Sequence, residues 1–414
     1  MPSSLTWIDH DRAARERSLR ILALFQERES RDELGLGGIR DSISDQLFPG
    51  TSTIQTRLRY MLFVPWIYQT LEQRRVSPPK FAIRADKAER DLIETLKNAD
   101  VQEEGILGGR TGRSLKRLPS SVYWSGLGSW GIRIADVSQE QYHRHIETYY
   151  RKREDVEADK RRRRETQDDL DTESDRRMHT WHPRLPNPPA DFPKAADFNL
   201  TKEEADFILD CIQRRHSKSL LAHLAIQCSP AEVSMPWEHP EYATFSDEHT
   251  ELLTHARLFS DVMHGAAIVY NLGLSKLVKR ENSENYPEKL EEWHSQIDRN
   301  EAADWSMERL WELTLGQGFT ISRATKRFVE AWRSLVVSSG AFQQNLEAAL
   351  SLVKEREGTL KNDRSRFQNA TARDQWRGAS GMVRINYRWH RVSRLLKDLH
   401  AGLHPDEAVD AQSE

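Results

Sequence analysis

Two arginines in an otherwise apolar stretch are the first residues of this chain that could do chemistry. Arg57 and Arg59 lie within residues 47–68, where a Phe-Pro-Gly turn and three hydroxyl residues open a helix that is apolar almost all round. Such a helix is expected in a core, and an unpaired guanidinium there is very costly. Either carboxylates or an anionic ligand must therefore neutralise the two arginines.

Both interpretations of these arginines stay open. Asp41 and Asp45 are spaced i,i+4 and share one helix face, from which they could form an internal salt-bridge network. Alternatively, Thr51 and Ser52 would offer hydroxyls and backbone N–H donors beside a bidentate arginine fork, which suits a phosphate or carboxylate. The second interpretation predicts a nuclease-like enzyme that acts on a phosphate-containing substrate, with a site near Asp41, Asp45, Arg57 and Arg59.

A glycine-rich basic loop, residues 105–117, is a second candidate site. It holds four cations and no acid, but it lacks the Gly-Lys-Ser/Thr ending of a phosphate-binding loop, so an NTPase is not indicated. Glycines with cations suit contact with a nucleic-acid backbone, and an ordinary surface loop is the alternative. The candidate residues are Arg110, Arg113, Lys116 and Arg117.

The most basic part of the chain is residues 354–398, with twelve basic and five acidic residues in a protein whose formal net charge is −3. The last helix, expected over 382–402, carries an arginine stripe beside an apolar stripe, and aromatic residues interleave with the cations. Cations with stacking surfaces favour nucleic-acid binding, whereas pairing with acidic helices would make the same arginines structural. The candidate residues are Lys361, Arg364, Arg366, Arg384, Arg388 and Arg391.

Other chemistry is not indicated. His255 and His264 are nine residues apart on one predicted helix and cannot bind one metal ion, so this Gly-Ala-rich helix is interpreted as a packing helix. We expect no metal site, no cofactor and no catalytic residue. Two cysteines and the absence of a secretory signal or a long apolar run predict a cytoplasmic protein without a membrane partner.

The elements that would position these residues are helices. Helical periodicity recurs along the 414 residues and strand signals are scarce, so we predict a mainly α, multi-helical fold with few short strands. A charged and proline-rich stretch suggests a linker between two helical lobes. The predicted divisions are an N-terminal helical domain (1–153), a linker (154–198), a C-terminal helical domain (199–404) and a disordered tail (405–414).

Several motifs resemble a bacterial family known as a domain of unknown function. The resemblance covers most of the chain except the 154–198 stretch, and it is carried by residues 33–41, 48–52, 57–67, 119–132, 255–271 and 376–389. Members occur in phage-defence islands and mobile elements beside helicases, nucleases and DNA methylases. The resemblance implies a non-catalytic nucleic-acid-binding or scaffolding component of an antiviral defence system, with DNA or RNA and other defence proteins, such as a helicase or nuclease, as partners. The alternatives are the enzyme described above and a purely structural assembly subunit.

Overall fold

The computed structural model describes residues 32–99, 105–109, 115, 117–155, 179–227, 230–278, 285–315, 319–338 and 342–405. Within these ranges the protein is mainly α-helical and has no β-sheet. Its β structure there is one isolated antiparallel bridge, between Arg133 and Trp181. The predicted mainly α, multi-helical fold is therefore confirmed.

The helices follow one another in this order: α1 (Gly37–Leu47), α2 (Tyr60–Gln73), α3 (Pro78–Asn98), α4 (Pro119–Ser129), α5 (Gln139–Arg144), α6 (146–155), α7 (Lys202–His216), α8 (Leu220–Gln227), α9 (Asp247–Ser275), α10 (Tyr286–Gln296), α11 (Arg299–Asp304), α12 (Met307–Leu315), α13 (Arg323–Val337), α14 (Leu346–Lys361), α15 (Ala370–Asp374) and α16 (Trp389–Leu403). Short 3-10 turns lie at Pro236–Glu238, Tyr242–Thr244, Phe342–Asn345 and Asn362–Arg364. None of the described helices is both long enough and apolar enough to cross a membrane.

The chain forms two compact units that interleave along the sequence. Unit 1 comprises Met1–Gln46, Pro236–Glu238 and Ser246–Tyr387, and unit 2 comprises Leu47–Met235, His239–Phe245 and Arg388–Glu414. These limits do not coincide with the predicted division into 1–153 and 199–404. The described end of the predicted linker, residues 179–198, belongs to unit 2, where Trp181 and Phe198 are buried.

Unit 1 is built around α9, a helix of 29 residues that begins at the N-cap Ser246 and is buried along most of its length. Its packing partners include α10, α14 and α13. A Cβ atom built on Gly265 would overlap the Trp293 ring of α10, so the glycine is what lets the two helices approach. The predicted role of the Gly-Ala segment in helix packing is confirmed.

Unit 2 is built around α2, which is buried on nearly every face from Tyr60 to Tyr68. Aromatic rings surround it, including Phe192, which stacks on Phe63 at 5.6 Å between ring centroids. The helix starts later than predicted. The hydroxyl residues expected to cap it form turns instead, because the Thr51 hydroxyl donates to the carbonyl of Phe48 at 2.7 Å. The predicted caps Thr51 and Ser52 and the arginines Arg57 and Arg59 therefore precede α2.

Candidate functional site

Arg57 is neutralised by a carboxylate from the far end of the sequence. Its Nε lies 3.0 Å from each carboxylate oxygen of Asp398, and its Nη2 lies 2.9 Å from Oδ1. The same carboxylate accepts the backbone N–H of Leu58 at 2.8 Å, and the guanidinium covers the Phe198 ring at 4.5 Å. Asp398 is buried and the Arg57 side chain is only 14% exposed, so this bidentate pair lies at the edge of the core of unit 2.

Arg59 is held in the same unit by two other carboxylates. Its Nη1 lies 2.8 Å from Asp197 and its Nη2 lies 2.9 Å from Glu204, the buried residue of the capping box that opens α7. The two predicted arginines thus form a salt-bridge network, but with carboxylates other than the suggested Asp41 and Asp45. They already hold the counter-charges that an anionic ligand would supply.

The structure places the predicted nucleic-acid contacts in different environments. Arg110, Arg113 and Lys116 lie outside the described residues, and Arg117 is half-buried and engaged. Lys361 and Arg366 both pair with the buried Glu33, and Arg384 pairs with Asp261. Arg388 and Arg391 donate to the carbonyls of Thr51, at 2.9 Å, and Thr53, at 3.2 Å. Arg364 is exposed, and no described carboxylate pairs with it.

The predicted arginine stripe is interrupted because the last helix begins at Trp389 rather than near residue 382. Tyr387 and Arg388 have φ angles of 52° and 69°, a left-handed conformation that ends any helical run before them. Arg384 therefore precedes α16 and belongs to unit 1, whereas Arg388 and Arg391 belong to unit 2. The three arginines do not share one helix face, contrary to the prediction.

A cavity of about 150 Å³ in unit 1 is the candidate functional site. One wall is a face of α9, whose lining residues recur at helical spacing: Ser260, Met263, His264, Ala267 and Tyr270. The second wall is the segment 32–40, which leads into α1, and the third is an irregular segment at 380–385. We call this space the first cavity, and the residues 376–387 that carry its third wall the strap.

The strap is tied to α9 by one buried amide. Asn271 accepts the indole N–H of Trp376 at 2.8 Å and the backbone N–H of Ser380 at 3.1 Å, and its own amide donates to the Ser380 carbonyl at 2.7 Å. At the other end of the strap, the Tyr387 hydroxyl donates to the carbonyl of Ala256 at 2.7 Å. The wall of the cavity is thus fixed at both ends.

Successive residues of the strap line two different cavities. Gly381, Val383 and Ile385 line the first cavity, and Met382 lines a second cavity of about 380 Å³ on the other side. Arg384 and His264 line both. The second cavity is also lined by the polar or charged Asp261, Lys289, Glu292 and Gln296 and by the apolar Ile268, Trp293 and Ile297. The first cavity has the more apolar lining of the two.

Among the neutral side chains that line the first cavity, two have a buried polar atom without a hydrogen-bond partner. Ser260 is 0% exposed and its Oγ is unpartnered, as is the buried Nδ1 of His264 one helical turn later. Burial, with the positive charges of Arg384 and Lys289, lowers the pKa of His264 to about 4, so the imidazole is neutral at neutral pH. Both atoms are closed to a water-sized probe, so they lie behind the surface that the wall presents to the cavity.

Sequence reasoning missed Ser260 and His264 as site residues because their helix was interpreted as a packing element. A weak signal existed: polar residues at i and i+4 interrupt an otherwise apolar helix. What makes them a site is the strap and the segment 32–40, which are distant in sequence. Among the described residues, no group of three or more His, Cys, Asp or Glu side chains could hold a metal ion.

Comparison with known proteins places the chain in a family. A sequence model of a family of unknown function, DUF6361, matches residues 2–154 and 168–402. The chain belongs to this family. No curated protein and no solved structure matches it. The matched ranges include all three walls of the first cavity and the arginine network of unit 2.

Proposed function

We propose that this protein is a non-catalytic binding protein that takes a small organic molecule into the first cavity of unit 1. The observation that carries the proposal is the cavity itself, a space of about 150 Å³ that three walls of unit 1 enclose in part. Ligand sites are concave spaces of this kind within a folded unit.

The lining favours an organic ligand over water alone. Leu36, Met263, Ala267, Val383 and Ile385 contribute apolar side chains to the cavity. Ligand sites are commonly concave and mostly apolar, with a few polar groups that fix orientation, and this cavity has that composition.

Binding without catalysis is favoured by the arrangement of Ser260 and His264, a serine and a histidine that line the cavity. A nucleophilic serine is activated by a hydrogen bond to its base. Ser260 Oγ and His264 Nδ1 have no partner, so they do not hydrogen-bond to each other. The alternative enzyme site loses its basis in Arg57 and Arg59, whose guanidiniums are engaged by carboxylates.

The test is retention of small molecules by the full chain. The protein is dialysed against a bacterial metabolite extract, and retained compounds are identified by mass spectrometry. Ala267→Phe should abolish retention because it places a ring in the cavity, and Ala324→Phe, at an exposed position of α13, is the matched control. Retention of nothing by the wild type, or of the same compounds by Ala267→Phe, would refute the proposal.

Nucleic-acid binding or scaffolding in antiviral defence, implied by the resemblance, is the second candidate. It is favoured by the exposed guanidinium of Arg364, with which no described carboxylate pairs. We propose that Arg364 contacts the phosphates of DNA or RNA, beside a helicase or nuclease partner. Affinity should fall steeply with salt, and a slope of log affinity on log salt near zero would contradict phosphate neutralisation.

A further inference from the structure

We propose that the first turns of α3 form a sequence-independent contact surface for the phosphate backbone of a nucleic-acid duplex. This inference rests on the second candidate function, because it names a surface that the nucleic acid would meet. The surface comprises Lys80, Ile83, Arg84 and Lys87, and we call it the basic face. It belongs to unit 2, whereas Arg364 belongs to unit 1.

The basic face is one stripe along the exposed side of a helix. With about 100° of rotation per residue, Lys80, Arg84 and Lys87 fall within about 60° of one another around the helix axis. All three are exposed, and Ile83, on the flank of the stripe, is 71% exposed. A rise of about 1.5 Å per residue spreads the three cations over about 10 Å. They can therefore meet a single partner together.

The positive charge of the basic face is not neutralised within the protein. None of its three cations pairs with a carboxylate among the described residues. The acids beside them on α3 are engaged elsewhere, since Asp86 pairs with Arg90 at 2.7 Å and the buried Glu89 accepts the backbone N–H of Ser120 at 2.7 Å. Exposed Asp91 follows one turn later and marks the end of the basic face. The stripe is thus available to an external anion.

The position of these cations is unfavourable for their own helix. The first turns of a helix carry partial positive charge, which favours acidic side chains there and disfavours basic ones. The first turn of α3 holds no acid and includes Lys80, and Arg84 follows one turn later. An anionic partner that meets both cations would offset this repulsion.

The core of unit 2 fixes the helix that carries the basic face. The opposite side of α3 is buried and packs against α2. There Phe81 contacts the ring of Tyr68 at 5.7 Å between centroids, and Glu89 is bonded to Ser120 as described. The basic face is therefore presented on an ordered helix, which lowers the entropy cost of binding.

The composition of the basic face favours a nucleic acid over a protein or a membrane. Protein interfaces centre on apolar and aromatic anchors, whereas Ile83 is the one large apolar residue here. A membrane-surface helix needs a broad apolar face, and that of α3 is buried inside unit 2. Nucleic-acid interfaces are much more positively charged. A duplex carries one negative charge per ~1.7 Å, so about 10 Å of it offers about six phosphates to the three cations.

The experiment measures binding of the full chain to two DNA duplexes of unrelated sequence, by fluorescence anisotropy over a range of salt concentrations. The triple variant Lys80→Gln/Arg84→Gln/Lys87→Gln removes the charges of the basic face. Each phosphate contact contributes about 0.9 to the slope of log affinity on log salt, so we expect the slope of this variant to be shallower by about 2–3. The change should be equal for both duplexes, because phosphate contacts carry no sequence information.

The matched control removes three exposed cations of unit 1 that have no described carboxylate partner, in the variant Lys276→Gln/Arg323→Gln/Arg327→Gln. Both triple variants have the same net charge, so the control corrects for long-range attraction, and it should keep the wild-type slope. All six positions are exposed, so both variants should remain folded, which far-UV circular dichroism and thermal unfolding check.

The outcomes separate this inference from the functions proposed above. A wild-type slope in the basic-face variant would overturn the inference and leave nucleic-acid binding to other cations such as Arg364. Equal shallowing in both triple variants would also overturn it, since net charge alone would then explain the effect. A wild type that binds neither duplex would overturn it together with the second candidate function, and small-molecule binding would be unaffected. Tighter binding to anionic lipid vesicles or to polyglutamate than to DNA would assign the basic face to a membrane or an acidic protein instead.

Discussion

The buried carboxyl of Glu89 should make unit 2 less stable as the pH rises from about 4.5 to about 7. The residue is 0% exposed on α3, and its carboxylate accepts the backbone N–H of Ser120 at 2.7 Å and the Ser120 hydroxyl at 2.6 Å. Burial is the largest influence on its pKa and outweighs these two bonds, raising the pKa from 4.5 to about 7. The native state therefore holds the proton more tightly than the unfolded chain does.

The magnitude follows from the pKa difference. One pKa unit corresponds to about 1.36 kcal/mol, so the raised pKa corresponds to about 3 kcal/mol. This stability is fully present below about pH 4.5 and is lost progressively as the pH rises through about 7, because the native state must then bury a charge. The variant Glu89→Gln stays neutral and should lack this loss.

The assay is urea denaturation of the wild type and Glu89→Gln at about pH 5 and about pH 8. The free energy of unfolding of the wild type should fall by about 3 kcal/mol relative to the variant between the two pH values. Glu147→Gln, at an exposed position of α6, is the control and should show the wild-type pH dependence. Parallel pH dependence of the wild type and Glu89→Gln would refute this account of the buried carboxyl.

Two further predictions concern packing and charge. Asp398→Ala should lower the free energy of unfolding by about 3–5 kcal/mol, because the largely buried Arg57 would lose its counter-charge. A loss below ~1 kcal/mol in urea denaturation would contradict a structural role for this pair. Gly265→Ala should lower the free energy of unfolding by about 1–3 kcal/mol, because its methyl group would overlap the Trp293 ring. Gly38→Ala is the control and should not destabilise the protein, because nothing lies near its Cβ position. Thermal unfolding of both variants measures the difference.

The sequence predicted the features that depend on local pattern. Periodicity was sufficient for the mainly α fold, and the apolar surroundings of Arg57 and Arg59 were sufficient to predict that both would need a counter-charge. Helix limits were less accurate. Residues 51–59 and 382–388 have helix-compatible composition, but hydroxyl-to-carbonyl turns and the left-handed pair Tyr387–Arg388 keep them out of the helices. These deviations arise from backbone geometry that composition does not encode.

The features that could not be predicted depend on contacts across long sequence separations. Asp398 lies 341 residues from Arg57, and nothing in the spacing favoured it over the nearby Asp41. The candidate site is a similar case. Ser260 and His264 line a cavity only because the strap and the segment 32–40 meet the same face of α9. A pattern within one helix shows which residues share a face, but it does not show what covers that face.

The interleaving of the two units determines what an unfinished chain can do. Unit 1 lacks most of its residues until synthesis passes Ser246, and unit 2 is incomplete until the stretch that starts at Arg388 has been made. During synthesis, Arg57 therefore has no counter-charge from Asp398 until 341 further residues have been added. Termination before Tyr387 leaves both units incomplete, and termination between residues 388 and 398 leaves unit 2 without the Asp398 carboxylate, so truncated products should be substrates for proteolytic quality control.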